Sequence, residues 1–355
     1  VTTNTDRQNL LYHTAPMQNY QLSIQGGTDK TKYYISGGYY NQDGIVRNSG
    51  FERYSAKINL DQQITDKFKI GTSLNFANTL NNRSTRTEME LNNSGVVLGA
   101  LEQIPTLAVY NADGTYALNP FSQSDNPYGD NQTTHNKITM NQLFGNVYGE
   151  YSILKNLTFR SSIGIDYRSQ IENQFIDREN PGFENAPSAS RGSGATGTES
   201  STIWLWENTL TYNATFHKDH VLTLLAGQSM QNSDLFTSSA SGYGFPSDAV
   251  PYLYAASIKQ SMSSYEEQWG LASYFVRANY AYKDRYYASA SIRADGSSRF
   301  AANNRFGYFP AASAAWRISQ EPFFSKNGAV DELKLRASFG ANGNQNVGVY
   351  DRFST

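Results

Sequence analysis

Apolar and polar residues alternate one for one along stretch after stretch of this chain, a period of two that specifies strands with unlike faces. Between Asn19 and Gly26, Tyr20, Leu22 and Ile24 interleave with Gln21, Ser23 and Gln25. Tyr33, Ile35, Gly37 and Tyr39 follow after a turn at Gly27-Thr28-Asp29-Lys30, then Tyr54, Ala56, Ile58 and Leu60, then Phe68, Ile70, Leu74 and Phe76. The pattern resumes with Leu143, Val147 and Tyr151 and with Leu157, Phe159, Ile163, Ile165 and Tyr167. Further strand pairs are expected over about 203–216 with 221–230, 271–282 with 286–293, and 306–319 with 333–340. The reading is all-β, about a dozen antiparallel strands with almost no helix.

The connections divide by size. Those near Thr28, Asp66, Lys155, Lys218 and Asp284 are a few residues long, whereas those from about Asn81 to His135, Ser169 to Ser200 and Asn232 to Gln268 are many times longer. Connections beyond ~12–15 residues are uncommon in compact domains. Here they are expected in strict alternation with the short turns and therefore at one end of the sheet. Short turns on one rim and long loops on the other belong to transmembrane β-barrels of the outer-membrane type.

The charges obey the same division. Lys57, Lys69, Arg160, Arg277, Arg293, Arg317, Lys334 and Arg336 fall on the polar face, with Asp61 and Asp166. An Arg or Lys on the lipid face near the midplane costs ~2–4 kcal/mol, so these side chains are expected to face a lumen. Tyr280, Tyr282, Tyr286, Tyr287 and Trp316 cluster near strand ends, as interfacial girdles do. A soluble antiparallel sandwich accounts for the alternation equally well, but not for the one-sided loops.

Composition narrows the classes further. Mean hydropathy of −0.57 excludes a bundle of membrane helices. A net charge of −2 and a pI near 6.1 give no basic field for nucleic acid. The absence of Cys removes disulfides, thiol catalysis and Cys-ligated zinc. The opening Val1-Thr2-Thr3-Asn4 is not a signal peptide, and the chain reads as a mature piece or an internal fragment.

Several motifs then resemble one family. The most specific is Asp295-Gly296-Ser297-Ser298-Arg299-Phe300, followed by Arg305-Phe306-Gly307-Tyr308-Phe309-Pro310 and Ala315-Trp316-Arg317-Ile318. In matching order come Gly26-Gly27-Thr28-Asp29-Lys30, Phe51-Glu52-Arg53-Tyr54, Val109-Tyr110-Asn111 with Asp113-Gly114-Thr115-Tyr116, and Leu333-Lys334-Leu335-Arg336 with Gly343-Asn344. Together they resemble the SusC/RagA family of TonB-linked outer-membrane proteins from Bacteroidetes, which usually carry Trp where Phe306 stands. The resemblance implies a barrel of about 22 strands with a plugged lumen. It also implies a TonB box, a SusD-like surface lipoprotein as lid, and import of glycan or oligopeptide fragments, with no cofactor and no bond chemistry. On this reading 1–18 is an extracellular loop segment, 19–340 a partial barrel and 341–355 the start of another loop, with plug and TonB box absent from this chain.

Other features are weaker. Gly192-Ser193-Gly194-Ala195-Thr196-Gly197 matches a dinucleotide pattern by letter, but without the strand and helix that motif needs it reads as a flexible loop. His217 and His220 flank a tight turn without an evident third metal ligand and read as solvated, and His13 and His135 read as isolated in loops. Loop aromatics, among them Tyr110, Tyr116, Tyr128, Tyr243 and Tyr252, offer flat faces suited to sugars or peptides, or pack the loops together. The lumen-facing arginines at 160, 277, 293, 317 and 336 are the other candidates for solute contact. An outer-membrane barrel enzyme, such as a rim hydrolase, and a soluble carbohydrate-binding sandwich or solenoid remain as alternatives.

Overall fold

In a computed structural model, which describes residues 3–83, 95–121, 126–324 and 330–351, the chain forms one antiparallel sheet. Its twelve strands lie in sequence order, each hydrogen-bonded to the next. They are β1 (Met17–Gly27), β2 (Thr31–Asp43), β3 (Gly50–Gln63), β4 (Phe68–Arg83), β5 (Thr134–Leu154) and β6 (Leu157–Ile176). β7 (Ser193–Phe216), β8 (His220–Tyr243), β9 (Ile258–Tyr282), β10 (Tyr286–Ser297), β11 (Phe306–Arg317) and β12 (Lys334–Gly340) complete it. β1 and β12 are edge strands. In hydrocarbon their unpaired ladder groups demand further strands on either side.

Register fixes the faces. One cross-strand set joins Ile35, Ile58, Leu74, Gly145 and Ile165; the next set along the same face carries Val147, Ile163, Trp206, Met230 and Ala272. This apolar face is bare, with Leu22, Ile163 and Phe339 exposing 82%, 60% and 76% of their surface. A sandwich buries such a face against a second sheet. Here the buried apolar clusters among the described residues are small and sit at the long-loop rim: Leu11, Val96 and Ala100, and Phe175, Phe245 and Ala256. Burial thus decides between the two readings that alternation left open, and lipid is what the bare face fits.

The height of the face agrees. Phe306 and Trp316 are aromatic, share that face and bracket β11. At ~3.4 Å per residue and a tilt of ~40°, the strand between them rises about 26 Å, against ~25 Å for the apolar band of such barrels.

The connections correct the sequence reading in four places. The stretches 169–200 and 232–268 are mostly strand: β6 to β9 run far past the apolar band and leave only 177–192 and 244–257 as connections. Their Ser, Thr, Asn and Gly residues read as turn vocabulary, yet above the membrane both faces meet water, so the backbone ladder propagates without alternation. The glycine-rich 192–197 therefore opens β7 instead of forming a loop, and Tyr243 and Phe236 lie in β8. The size rule is not strict either, because 44–49 and 298–305 on the long-loop rim are short, while 318–333 on the short-turn rim is long. The remaining short-rim connections, 28–30, 64–67, 155–156, 217–219 and 283–285, are tight as expected.

At the long-loop rim the chain is ordered by caps. α1 (Arg7–Leu11), α2 (Gly95–Glu102) and α3 (Pro127–Thr133) pack together there. Asn126 caps α3 through the Tyr128 and Gly129 amides, with Pro127 at the first helical position, a standard start signal. The residues from Met17 on belong to β1, two earlier than expected, and 352–355 of the last expected segment lie outside the described residues.

Candidate functional site: the polar face and its long-loop rim

All five candidate arginines share the polar face. Most are neutralised locally. Arg160 approaches Glu150 at 3.9 Å and lies 3.8 Å over the Tyr148 ring. Tyr148 donates its hydroxyl to Asp61, which also meets Lys69 at 3.4 Å. This reach across β4 depends on Gly71, where a Cβ would run into the Tyr148 ring and stand 2.6 Å from Asp61 Oδ1. Arg293 bonds Asp295 at 2.6 Å and Ser273 Oγ at 2.9 Å. Arg317 bonds Asp284 at 2.8 Å, with Glu332 3.3 Å away. Arg277 donates only to Asn279, and Arg336 on the edge strand is exposed, so these two hold charge with no carboxylate partner among the described residues.

The 295–300 motif builds the rim above them. Ser297 is buried and its amide donates to Arg305 O, while Ser298 and Gly270 exchange two hydrogen bonds that end the β9–β10 ladder. Arg299 donates to Val347 O at 2.7 Å, lies 3.4 Å from Glu267 and rests over Trp269. The motif therefore clamps the incoming segment 341–351 onto the barrel wall. Between them opens a cleft of ≈ 570 Å³ lined by Arg293, Asp295, Phe300, Arg305, Phe309 and Asn344, among others. Gly307 lies under the Phe309 ring on this polar face, whereas Tyr308 and Pro310 point to the apolar side.

Of the loop aromatics, three converge. Tyr110 stacks on Tyr116 at 5.2 Å and meets Tyr128 edge-on at 6.4 Å. Burial, then the neighbouring Tyr110, push the Tyr116 phenol up to about 12, so it is a neutral hydroxyl at any physiological pH. Tyr243 and Tyr252 do not join them: Tyr243 ends β8, and Tyr252 is exposed on the next connection. Phe245 is buried against Phe175 and serves packing.

Three further expectations change. Tyr287 faces the polar side and donates to Asp284, so it leaves the girdle. His220 is not solvated: it stacks on Phe216 at 5.0 Å and bonds Tyr280 Oη at 2.6 Å, whereas His217 at the turn is exposed as expected. His135 belongs to β5 and pairs with Asp177 at 3.1 Å. Burial raises the Asp177 carboxyl against the opposing pull of that His. The described residues hold no group of three metal ligands. No sequence pattern marks Glu321, a buried carboxylate on the long short-rim connection that accepts from Tyr286 Oη at 2.5 Å, Trp316 Nε1 at 3.0 Å and Arg285 at 3.2 Å. Those hydrogen bonds, Tyr286 first, hold it below the usual carboxylate range.

A bare apolar face, a charged opposite face, tight turns at one rim and capped loops at the other define a section of an outer-membrane β-barrel, of the class that TonB-dependent receptors form. No protein-family model matches the chain. It is 34% identical to TonB-dependent receptor P3 of Formosa agariphila over 98% of its own length and 35% of that receptor. It is 27% identical to the TonB-dependent receptor SusC of Bacteroides thetaiotaomicron, covering 98% of the chain and 36% of SusC. Among solved structures, the RagAB peptide importer in its open-open state superposes with a TM-score of 0.83 at 24% identity, over 99% of this chain and 39% of that one. The chain thus spans about a third of the length of the curated relatives it matches. Along nearly its whole length it is similar to TonB-dependent receptors, SusC among them, and its place is the outer membrane. The polar face is therefore the lumenal face, the short turns are periplasmic and the long loops extracellular.

Proposed function

We propose that the protein to which this wall belongs is a TonB-dependent importer of glycan or oligopeptide fragments, working with a SusD-like surface lipoprotein. The carrying observation is the distribution of lumenal charge. Arg160, Arg293 and Arg317 are neutralised by carboxylates of the wall itself, while Arg277 and Arg336 keep charge available for plug carboxylates or a passing solute. Above them the rim cleft and the Tyr110, Tyr116 and Tyr128 group present aromatic faces beside amides, a lining suited to sugar or peptide. The relatives named above are receptors, and one solved neighbour is a peptide importer. On this reading TonB acts through a plug, the extracellular loops hold lid and ligand, and the wall itself supplies no bond chemistry.

Arg293→Ala in the full-length protein tests the assignment. Removing the guanidinium frees Asp295 and Ser273 on the lumenal face without touching lipid. Uptake or plug seating falls while membrane insertion stays intact. A variant that fails to insert refutes the lumenal role.

A further inference from the structure

We propose that the periplasmic rim over β7 to β11 binds the headgroup of a phosphoethanolamine-type phospholipid from the adjoining leaflet. One cross-strand row on the lipid face runs Phe216, His220, Tyr282, Tyr286 and Trp316. Neighbouring ring centroids in this row lie 5.0, 4.7, 6.2 and 6.4 Å apart, and Phe323 continues it at 6.4 Å. The row is a shelf with its polar tips tied down: His220 to Tyr280, and both Tyr286 and Trp316 to the buried Glu321. Those ties leave the rings fixed at the level where acyl chain gives way to headgroup.

The turns below this shelf sort their charges by face. Lys283 and Asp284 are consecutive and both left-handed, at φ 53° each. Asp284 turns to the lumen, where it takes Arg317 and Tyr287. Lys283 turns the other way, its Nζ 5.3 Å from the centroid of the lipid-facing Tyr282 ring. Its amide donates to Asp219 O, which zips this turn to the neighbouring one, His217 and Lys218, also left-handed at φ 50° and 64°. His217 lies against Phe216 and His220 on the same side. Side chains other than Gly and Asn occupy such turns at a steric cost. Arg285 is consumed by Glu321, so among the described residues Lys283 and Lys218 are the cations left beside the shelf and Asp219 the anion between them. A phosphate on the lysines, an ammonium on Asp219 and acyl chains on the rings complete that pattern. An anionic headgroup leaves Asp219 unanswered.

The test is lipid retention by the full-length receptor, delipidated in detergent and titrated with phosphatidylethanolamine under native mass spectrometry. Lys283→Asn keeps a residue that tolerates positive φ and removes the charge. It weakens retention about fivefold, the contribution of one Lys at a membrane surface. Lys218→Asn added to it weakens retention further. Lys155→Asn, at a two-residue periplasmic turn that carries no carboxylate of its own, changes nothing. Equal loss in the Lys155 and Lys283 variants, wild-type retention of diacylglycerol as strong as that of the phospholipid, or displacement by millimolar inorganic phosphate each overturns the proposal. So does stronger retention of phosphatidylglycerol.

Discussion

Gly71→Ala is the sharpest test of how the lumenal wall is held. In an ordinary strand position this change stabilises by ~0.5–1 kcal/mol, because Gly loses more freedom on folding. At 71 the added Cβ meets the Tyr148 ring and Asp61 Oδ1, so the ring must leave. Two interactions go with it. The Tyr148 hydroxyl bond to the Asp61 carboxylate is of a kind contributing ~1.5–3 kcal/mol, reduced to ~1–2 because Asp61 is half exposed and screened. Arg160 over the ring adds ~0.5–1. The loss of ~2 kcal/mol exceeds the entropic gain, and Gly71→Ala destabilises by about 1 kcal/mol. In a Tyr148→Ala background only the end of the flexible Asp61 side chain is left to move aside, and the sign reverses. Denaturant unfolding of the full-length receptor in lipid, read as a double-mutant cycle, measures a coupling of ~2 kcal/mol. Equal costs in the two backgrounds would refute the argument.

Two other outcomes follow from the loops and the periplasmic knot. The depressed Glu321 carboxyl contributes stability at neutral pH that persists below the usual carboxylate range and is lost as pH falls through its lowered value. Glu321→Gln therefore loosens the Trp316 environment at pH 7, seen in fluorescence, while the wild type keeps it to a lower pH than an ordinary carboxylate allows; loosening near pH 6 contradicts this. Gly129→Ala places a Cβ 2.6 Å from both Pro181 Cγ and Tyr116 Cγ, an overpacking cost of ~1–3 kcal/mol that opens the tyrosine group. Proteolysis of the extracellular loops rises with the barrel still folded, and unchanged cleavage counts against the packing described.

Legibility in the sequence followed the solvent. Where lipid meets one side and lumen the other, as from Leu157 to Tyr167, each residue has one tolerable face, and alternation revealed strand, register and charge placement together. The polar-face assignment of Arg160, Arg277, Arg293, Arg317 and Arg336 came from that constraint alone. Above the membrane the constraint lapses. Residues 193–200 and 232–243 meet water on both faces, so their strand character rests on partners supplied by the neighbouring chain segments, and alternation does not mark them as strand.

What the sequence determined by itself is therefore an alternating, one-sidedly charged sheet with tight periplasmic turns and a family signature at 295–310. Only the tertiary structure decided that the apolar face stays bare, that Tyr110, Tyr116 and Tyr128 meet while Tyr243 and Tyr252 stand apart, and that Glu321 gathers Tyr286, Trp316 and Arg285. The physical reason is range. Face preference is set by each residue and its solvent, whereas these contacts join positions on different strands and loops, and only the folded register brings them within reach.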